Sequence, residues 1–180
     1  MKAGQVVTRR RFLKSAAAAV AAPMIVSSRA LGLDGAVAAG SRIAVGAIGT
    51  GGRCWGTLPA FLHSPQCQVV AVCDVQALRR QQSTAQVQAH YAAATQAGTY
   101  QGCQAYNDFR ELLARADIDA VQISTPDHWH VPIGIAAAQA GKDIYGEKPL
   151  GATVGEGKRM VEAVRRYGRV FQHGTQRRSF

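Results

Sequence analysis

An apolar run, Ile43 to Ile48, stops at Gly49-Thr50-Gly51-Gly52, and a second, Val69 to Cys73, stops at an acid, Asp74. This order constrains the fold more than any other feature of the chain. A strand with no polar residue on either face has to be covered on both sides, which is the situation of a strand inside a parallel sheet. Further short runs follow at Ala120–Ser124, Asp143–Tyr145 and Val170–Gln172, each separated from the last by an amphipathic stretch. Strands alternating with helices predict βαβ units in one α/β domain.

The stretches between the runs are punctuated as helices are. Asp108-x-x-Glu111 and Thr153-x-x-Glu156 both have capping-box spacing, in which a side-chain oxygen and a carboxylate satisfy first-turn amides. Phe109, Leu112 and Leu113 form one apolar face; Met160, Val161 and Val164 form another. Pro132 and Gly141 bracket a helix expected over Val131 to Ala140, with the proline in its first turn. Residues 75–97 are polar and Ala-rich and predict an exposed helix.

Gly49-x-Gly51 follows a strand and precedes a helix, where a tight turn lets backbone approach a pyrophosphate at a helix N-terminus. Gly49, Thr50, Gly51, Gly52 and Arg53 are therefore candidate cofactor contacts. The third glycine of G-x-G-x-x-G falls at position 54, which is Cys; Gly52 and Gly56 flank it and are read as relieving the packing. Asp74 lies 23 residues beyond Gly51, where a carboxylate accepts hydrogen bonds from adenosine ribose hydroxyls. It would repel a 2′-phosphate and favour NAD over NADP, while Arg79 and Arg80 pull the other way. Each piece alone has a plain alternative, a ligand-free glycine turn or an Asp that caps the next helix. In this order they specify a Rossmann-type doubly wound parallel sheet with helices on both faces.

Two more segments lie just past strand ends, where open α/β sheets bind ligands. They are Ser124-Thr125-Pro126-Asp127-His128-Trp129-His130 and Gly146-Glu147-Lys148-Pro149-Leu150. Asp127, His128 and His130 lack the further ligands of a metal cluster, so no metal site is expected. His63, His90 and His173 carry no partner signal, and Lys158, Arg159, Arg165 and Arg166 read as a solvated helix face.

The chain has 180 residues, enough for one ordinary domain, and a net charge of +10. Residues 1–30 contain six of the basic residues and no acid; fifteen basic and eleven acidic residues remain, a net of +4. No basic stripe with interleaved aromatics is left, which argues against nucleic-acid binding. Thr8-Arg9-Arg10-Arg11-Phe12-Leu13-Lys14, an apolar stretch from Ala16 to Val26, and Ser28-Arg29-Ala30 have the three parts of an export signal. The first segment resembles the twin-arginine signal at every position. The apolar stretch is too short for the ~20 residues of a stable membrane span. Residues 1–30 are thus read as a signal peptide, 31–41 as a linker, and the destination as the periplasm or another exported location. Cys54, Cys67, Cys73 and Cys103 have no metal-ligand spacing; one disulfide is possible in an oxidising compartment, and Cys73 reads as a buried apolar residue.

With these residues in view, the sequence resembles the Gfo/Idh/MocA family over residues 42–178, especially its exported members. The likeness rests on Gly49-x-Gly51-Gly52-Arg53, Cys73-Asp74-Val75, Thr125-Pro126-Asp127-His128-Trp129-His130, Ala140-Gly141-Lys142, Glu147-Lys148-Pro149-Leu150 and Gly174-Thr175-Gln176-Arg177-Arg178. The resemblance implies a nucleotide domain over 42–175 and a second α/β substrate domain, of which 176–180 would be only the start. It implies NAD, with NADP possible, and hydride transfer to or from a sugar or polyol carbon. Lys148 matches the family's active-site lysine, which polarises the reacting hydroxyl or carbonyl. Glu147 and His130 match positions beside the nicotinamide ribose, and Arg177 or Arg178 a basic position at the entry to the second domain. The family's catalytic histidine lies in that second domain, so this chain alone is expected to bind NAD weakly and turn over little. Gly146 stands where relatives often carry a larger residue. Two other functions are weighed: an NAD-dependent glycosidase that oxidises transiently and eliminates an aglycone, and a non-catalytic nucleotide-binding module. Oligomeric state is left open.

Overall fold

The computed structural model describes residues 39–178. The twin-arginine segment and most of the linker lie outside the described residues. Six strands are present: β1 (Ile43–Ile48), β2 (Cys67–Cys73), β3 (Gln104–Tyr106), β4 (Ala120–Ile123), β5 (Asp143–Glu147) and β6 (Phe171–Gly174). Among them run α1 (Gly52–His63), α2 (Ala77–His90), α3 (Ala92–Gln96), α4 (Phe109–Leu113), α5 (Asp127–Gln139) and α6 (Val154–Arg166).

All pairings are parallel and the strand order is β3-β2-β1-β4-β5-β6. This is the doubly wound order, with its reversal between β1 and β4. Two apolar layers cover the sheet, as the unbroken strand runs require. Val45, Ala47, Val69 and Val72 meet Cys54, Leu58, Leu62 and Val87 of α1 and α2 on one face. Ile48, Ala71, Val121, Ile123 and Ile144 meet Leu112, Ile133, Ala137 and Ala163 of α4, α5 and α6 on the other.

Several glycines set how closely these layers approach. A Cβ on Gly46 would stand 2.7 Å from Leu112 Cδ2, so β1 is bare where α4 crosses it. A Cβ on Gly134 would overlap Met160, so this glycine brings α5 onto α6. Gly52 and Gly56 do not relieve packing as expected: a Cβ on Gly52 meets nothing within 4 Å, and one on Gly56 only the tip of Arg53. Cys54 instead fits directly between α1 and the sheet, with no exposed surface.

Some boundaries differ from those read in the sequence. The three-residue β3 was not expected, because Gln-Ala-Tyr at a sheet edge carries no apolar run. α5 begins at Asp127, four residues before the expected start, so Pro132 sits inside the helix and not in its first turn. The carboxylate of Asp127 in that first turn suits the positive end of the helix dipole. β5 continues through Gly146 and Glu147, which leaves Lys148 as the first residue beyond the sheet. Thr153 and Glu156 form the reciprocal box, whereas Asp108 caps only the amide of Arg110 and Glu111 does not reach back. The helical segment within 75–97 is broken at Tyr91 and buries Ser83 and Val87.

Lys142, just before β5, is buried and donates from Nζ to the carbonyls of Arg115 (2.6 Å) and Ile118 (2.8 Å). That part of the Ala-Gly-Lys motif ties down the loop before β4, at the end of the sheet opposite the glycine turn.

Candidate nucleotide site

The glycine turn follows β1 directly and lies against the end of β4. Gly49 takes φ +80, and a Cβ there would stand 2.7 Å from Thr125 N and 2.8 Å from Ser124 C. Both demands, left-handed backbone and close approach, admit only glycine. Gly51 is the N-cap of α1 with no side-chain cap, and the helix ladder starts at Trp55 N bonding to Gly51 O. The amides of Gly52, Arg53 and Cys54 therefore have no intrahelical acceptor and point out of a helix N-terminus, a ready anion site.

Two amides expected to face a pyrophosphate are spent elsewhere. Gly49 N donates to Cys73 O at 2.8 Å, and Thr50 N to Asp74 Oδ2 at 2.8 Å. Thr50 has no exposed surface, and its Oγ1 also lies 3.3 Å from Asp74 Oδ2. Thr50 thus supports the turn from beneath. The other carboxylate oxygen, Oδ1, accepts from Gln76 N at 2.8 Å, so Asp74 ties the turn to the β2–α2 junction. Asp74 keeps 8% of its surface exposed.

Across the sheet reversal, Ser124 is buried and its Oγ accepts from Gln122 Nε2 at 3.1 Å. Thr125 Oγ1 is buried with no hydrogen-bond partner. Pro126 is exposed at the head of α5. His130 is buried, and both ring nitrogens face carbonyls: Nδ1 is 2.7 Å from Pro149 O and Nε2 2.9 Å from Thr125 O. It links the β4 and β5 loops and has no nitrogen free for a metal or a cofactor.

Glu147 ends β5 with 3% of its side chain exposed, and its Oε1 takes the Nε of Arg53 at 2.7 Å. Its Oε2 accepts the amide of Lys148 at 3.2 Å. The backbone around Lys148 is thus fixed by Glu147 on one side and His130 on the other, while the lysine itself is exposed. Lys148, Arg53, Thr175, Gln176, Arg177 and Arg178 line an open cleft of about 930 Å³. The ring of Phe171 fills the space beside Gly146, 2.9 Å from where a Cβ would stand, which accounts for the small residue there.

Sequence reasoning missed the Arg53–Glu147 pair and the buried Gln122, which donates to Thr57 on α1. Trp55, expected near the cofactor together with Trp129, lies by the turn, and its indole Nε1 donates to Thr50 O at 3.1 Å. All four cysteines are free. Burial, with the charge of Asp74 behind it, pushes the thiols of Cys54 and Cys73 up to about 12, which keeps them protonated at neutral pH.

These features fit a dinucleotide. An uncapped helix start, a buried hydroxyl without a partner at Thr125 and a turn that only glycine can make converge at the sheet reversal. They define a nucleotide-binding domain of the doubly wound class.

The model of the Gfo/Idh/MocA oxidoreductase family, NAD-binding Rossmann fold, matches residues 43–175. The chain belongs to that family. It is 37% identical over 117 residues to a glycosyl hydrolase family 109 protein of Saccharopolyspora erythraea, covering 63% of this chain and 24% of that one. The structure of the WlbA dehydrogenase from Bordetella pertussis in complex with NADH and UDP-GlcNAcA is 26% identical, with a TM-score of 0.63, over 77% of this chain and 36% of that one. The scyllo-inositol dehydrogenase of Lactobacillus casei, solved with NAD(H) and scyllo-inositol, shares the fold at 21% identity and a TM-score of 0.65, over 77% of this chain and 38% of that one. The chain spans between about a quarter and just over a third of the length of such relatives.

Proposed function

We propose that this chain is the nucleotide-binding portion of an exported enzyme that moves hydride between NAD and a sugar or polyol carbon. The observation that carries this reading is the placement of Lys148: exposed, held by Glu147 and His130, and on the same sheet edge as the glycine turn. Bound there, the nicotinamide would supply the hydride chemistry. The amides of Gly52 and Arg53 would hold the pyrophosphate, Thr125 would add a hydroxyl, and Asp74 would face the adenosine ribose and disfavour a 2′-phosphate. Lys148 Nζ would orient the substrate oxygen and hold or release its proton.

Residues 42–175 form the nucleotide domain in this reading, and 176–180 lead toward a substrate domain. The twin-arginine match at Arg9-Arg10 supports export of the folded, cofactor-loaded protein to the periplasm. The likeness to glycosyl hydrolase family 109 proteins supports a second reading, transient oxidation and aglycone elimination on the same cofactor.

A chimera joining residues 42–178 to the remainder of the Saccharopolyspora relative tests both. Net NADH formation with a polyol supports the first reading; release of an aryl alcohol from an aryl glycoside without net NADH supports the second. Both should vanish in Lys148→Met. A chimera that binds NAD yet transfers no hydride under either assay would leave only a nucleotide-binding module.

A further inference from the structure

Three arginines stand near the glycine turn, and two are already committed. Arg53 is held by Glu147 at 2.7 Å. Arg80 spends Nη1 on Asp74 O at 2.5 Å and on Asn107 Oδ1 at 3.1 Å. Arg79 is exposed and makes no hydrogen bond or ion pair among the described residues, yet its guanidinium lies over the turn. Its Nη1 is 2.9 Å, and its Cζ 3.5 Å, from where a Cβ on Gly51 would stand.

With no side chain on Gly51, the guanidinium can lie directly against the turn. Gly51 has φ −76, an angle open to any residue, so nothing local demands glycine there. The space a side chain would take is occupied by Arg79. The turn also needs a cation from outside itself. The helix start offers roughly half a positive charge, the amides of Gly49 and Thr50 are engaged, and the carboxylate of Asp74 adds a negative charge beside them. A pyrophosphate brings two more, and an arginine fork matches phosphate oxygens better than any other side chain.

We propose that Arg79 is the counter-charge of the dinucleotide's pyrophosphate, reaching from α2 across Gly51 to the N-terminus of α1. The inference rests on the NAD reading above, and Arg79 acts as a binding residue for both NAD and NADP.

The test is titration of the 180-residue chain with NADH and with NADPH, followed by calorimetry, for the wild type, Arg79→Leu and Arg79→Lys, with thermal melts alongside. Arg79→Leu should melt with the wild type and bind both nucleotides roughly 10- to 100-fold more weakly, by a similar factor for each. Arg79→Lys should fall between, and the loss of affinity with added salt should be shallower in Arg79→Leu. If the wild type binds and Arg79→Leu binds equally well, this inference is wrong and the NAD reading stands. Loss confined to NADPH would put Arg79 on the 2′-phosphate and also overturn it. If the wild type binds neither nucleotide, both fail together.

Discussion

Thr50 and Asp74 close on each other across the β1–β2 pair, amide and hydroxyl of the one on a single carboxylate oxygen of the other, at 2.8 and 3.3 Å. The acid proposed to face an adenosine ribose is therefore also the acid that shapes the glycine turn. Asp74→Ala should weaken nucleotide binding and also destabilise the fold, by about 1–3 kcal/mol, because the buried Thr50 amide loses its acceptor. Urea melts of Asp74→Ala without nucleotide check this. Stability equal to the wild type would mean that the carboxylate does not support the turn.

The glycines of the turn should separate by role. Gly49→Ala combines a left-handed φ with contacts to Thr125 and should cost about 1–3 kcal/mol in stability. Gly52→Ala faces open space in the first turn of α1 and should melt as the wild type does. Its methyl would stand where the proposed binding mode puts the pyrophosphate, so its nucleotide affinity should still drop. Melting and titration of the two variants, side by side, read these effects independently.

Arg53→Ala leaves the buried carboxylate of Glu147 without its partner. Destabilisation of about 1–3 kcal/mol is expected, at the lower end of what a broken buried pair costs because Arg53 itself is half-exposed. Adding Glu147→Gln to Arg53→Ala should recover part of that loss. A double variant no more stable than Arg53→Ala would show that the pair carries little of the geometry around Lys148.

Alkaline conditions should unfold the protein through its thiols. Burial pushes Cys54, Cys73 and Cys103 from 9.0 up to about 12. Unfolded thiols ionise first, so the unfolded state sheds protons that the folded state keeps. Stability is whole below pH 9 and falls as the pH climbs toward 12, by up to about 1.4 kcal/mol per pH unit for each thiol. Urea midpoints measured from about pH 8 to about pH 11 should fall less steeply in Cys103→Ala than in the wild type. At neutral pH a thiol reagent should reach the half-buried Cys67 before the other three.

How much of this was legible follows from what each residue depends on. β1, β2 and β4 were legible because burial on both faces forces apolar runs, and the glycine turn because Gly49 has no substitute. The edge strand Gln104–Tyr106 was hidden, since an exposed three-residue strand owes its shape to its neighbour Ala71–Cys73 and not to its own pattern. Among the site residues, Asp74 and Lys148 stood out by their position after strands. Arg53 and Glu147 stood out too, as separate candidates, but their pairing did not: they are 94 positions apart, and only the fold brings them together. The motif marks His130 as a cofactor neighbour; its two carbonyl contacts show it also clamping the two loops together.

In the proposed binding mode the α1 N-terminus and Asp74 hold a dinucleotide. Trp55 and Trp129 lie at that edge of the sheet, 48% and 42% exposed, and their emission overlaps the absorption of NADH. Titrating NADH into the 180-residue chain should quench tryptophan emission saturably, with sensitised nicotinamide emission, and Asp74→Ala should shift the curve to higher concentration. Emission that stays unchanged up to millimolar NADH would contradict the account.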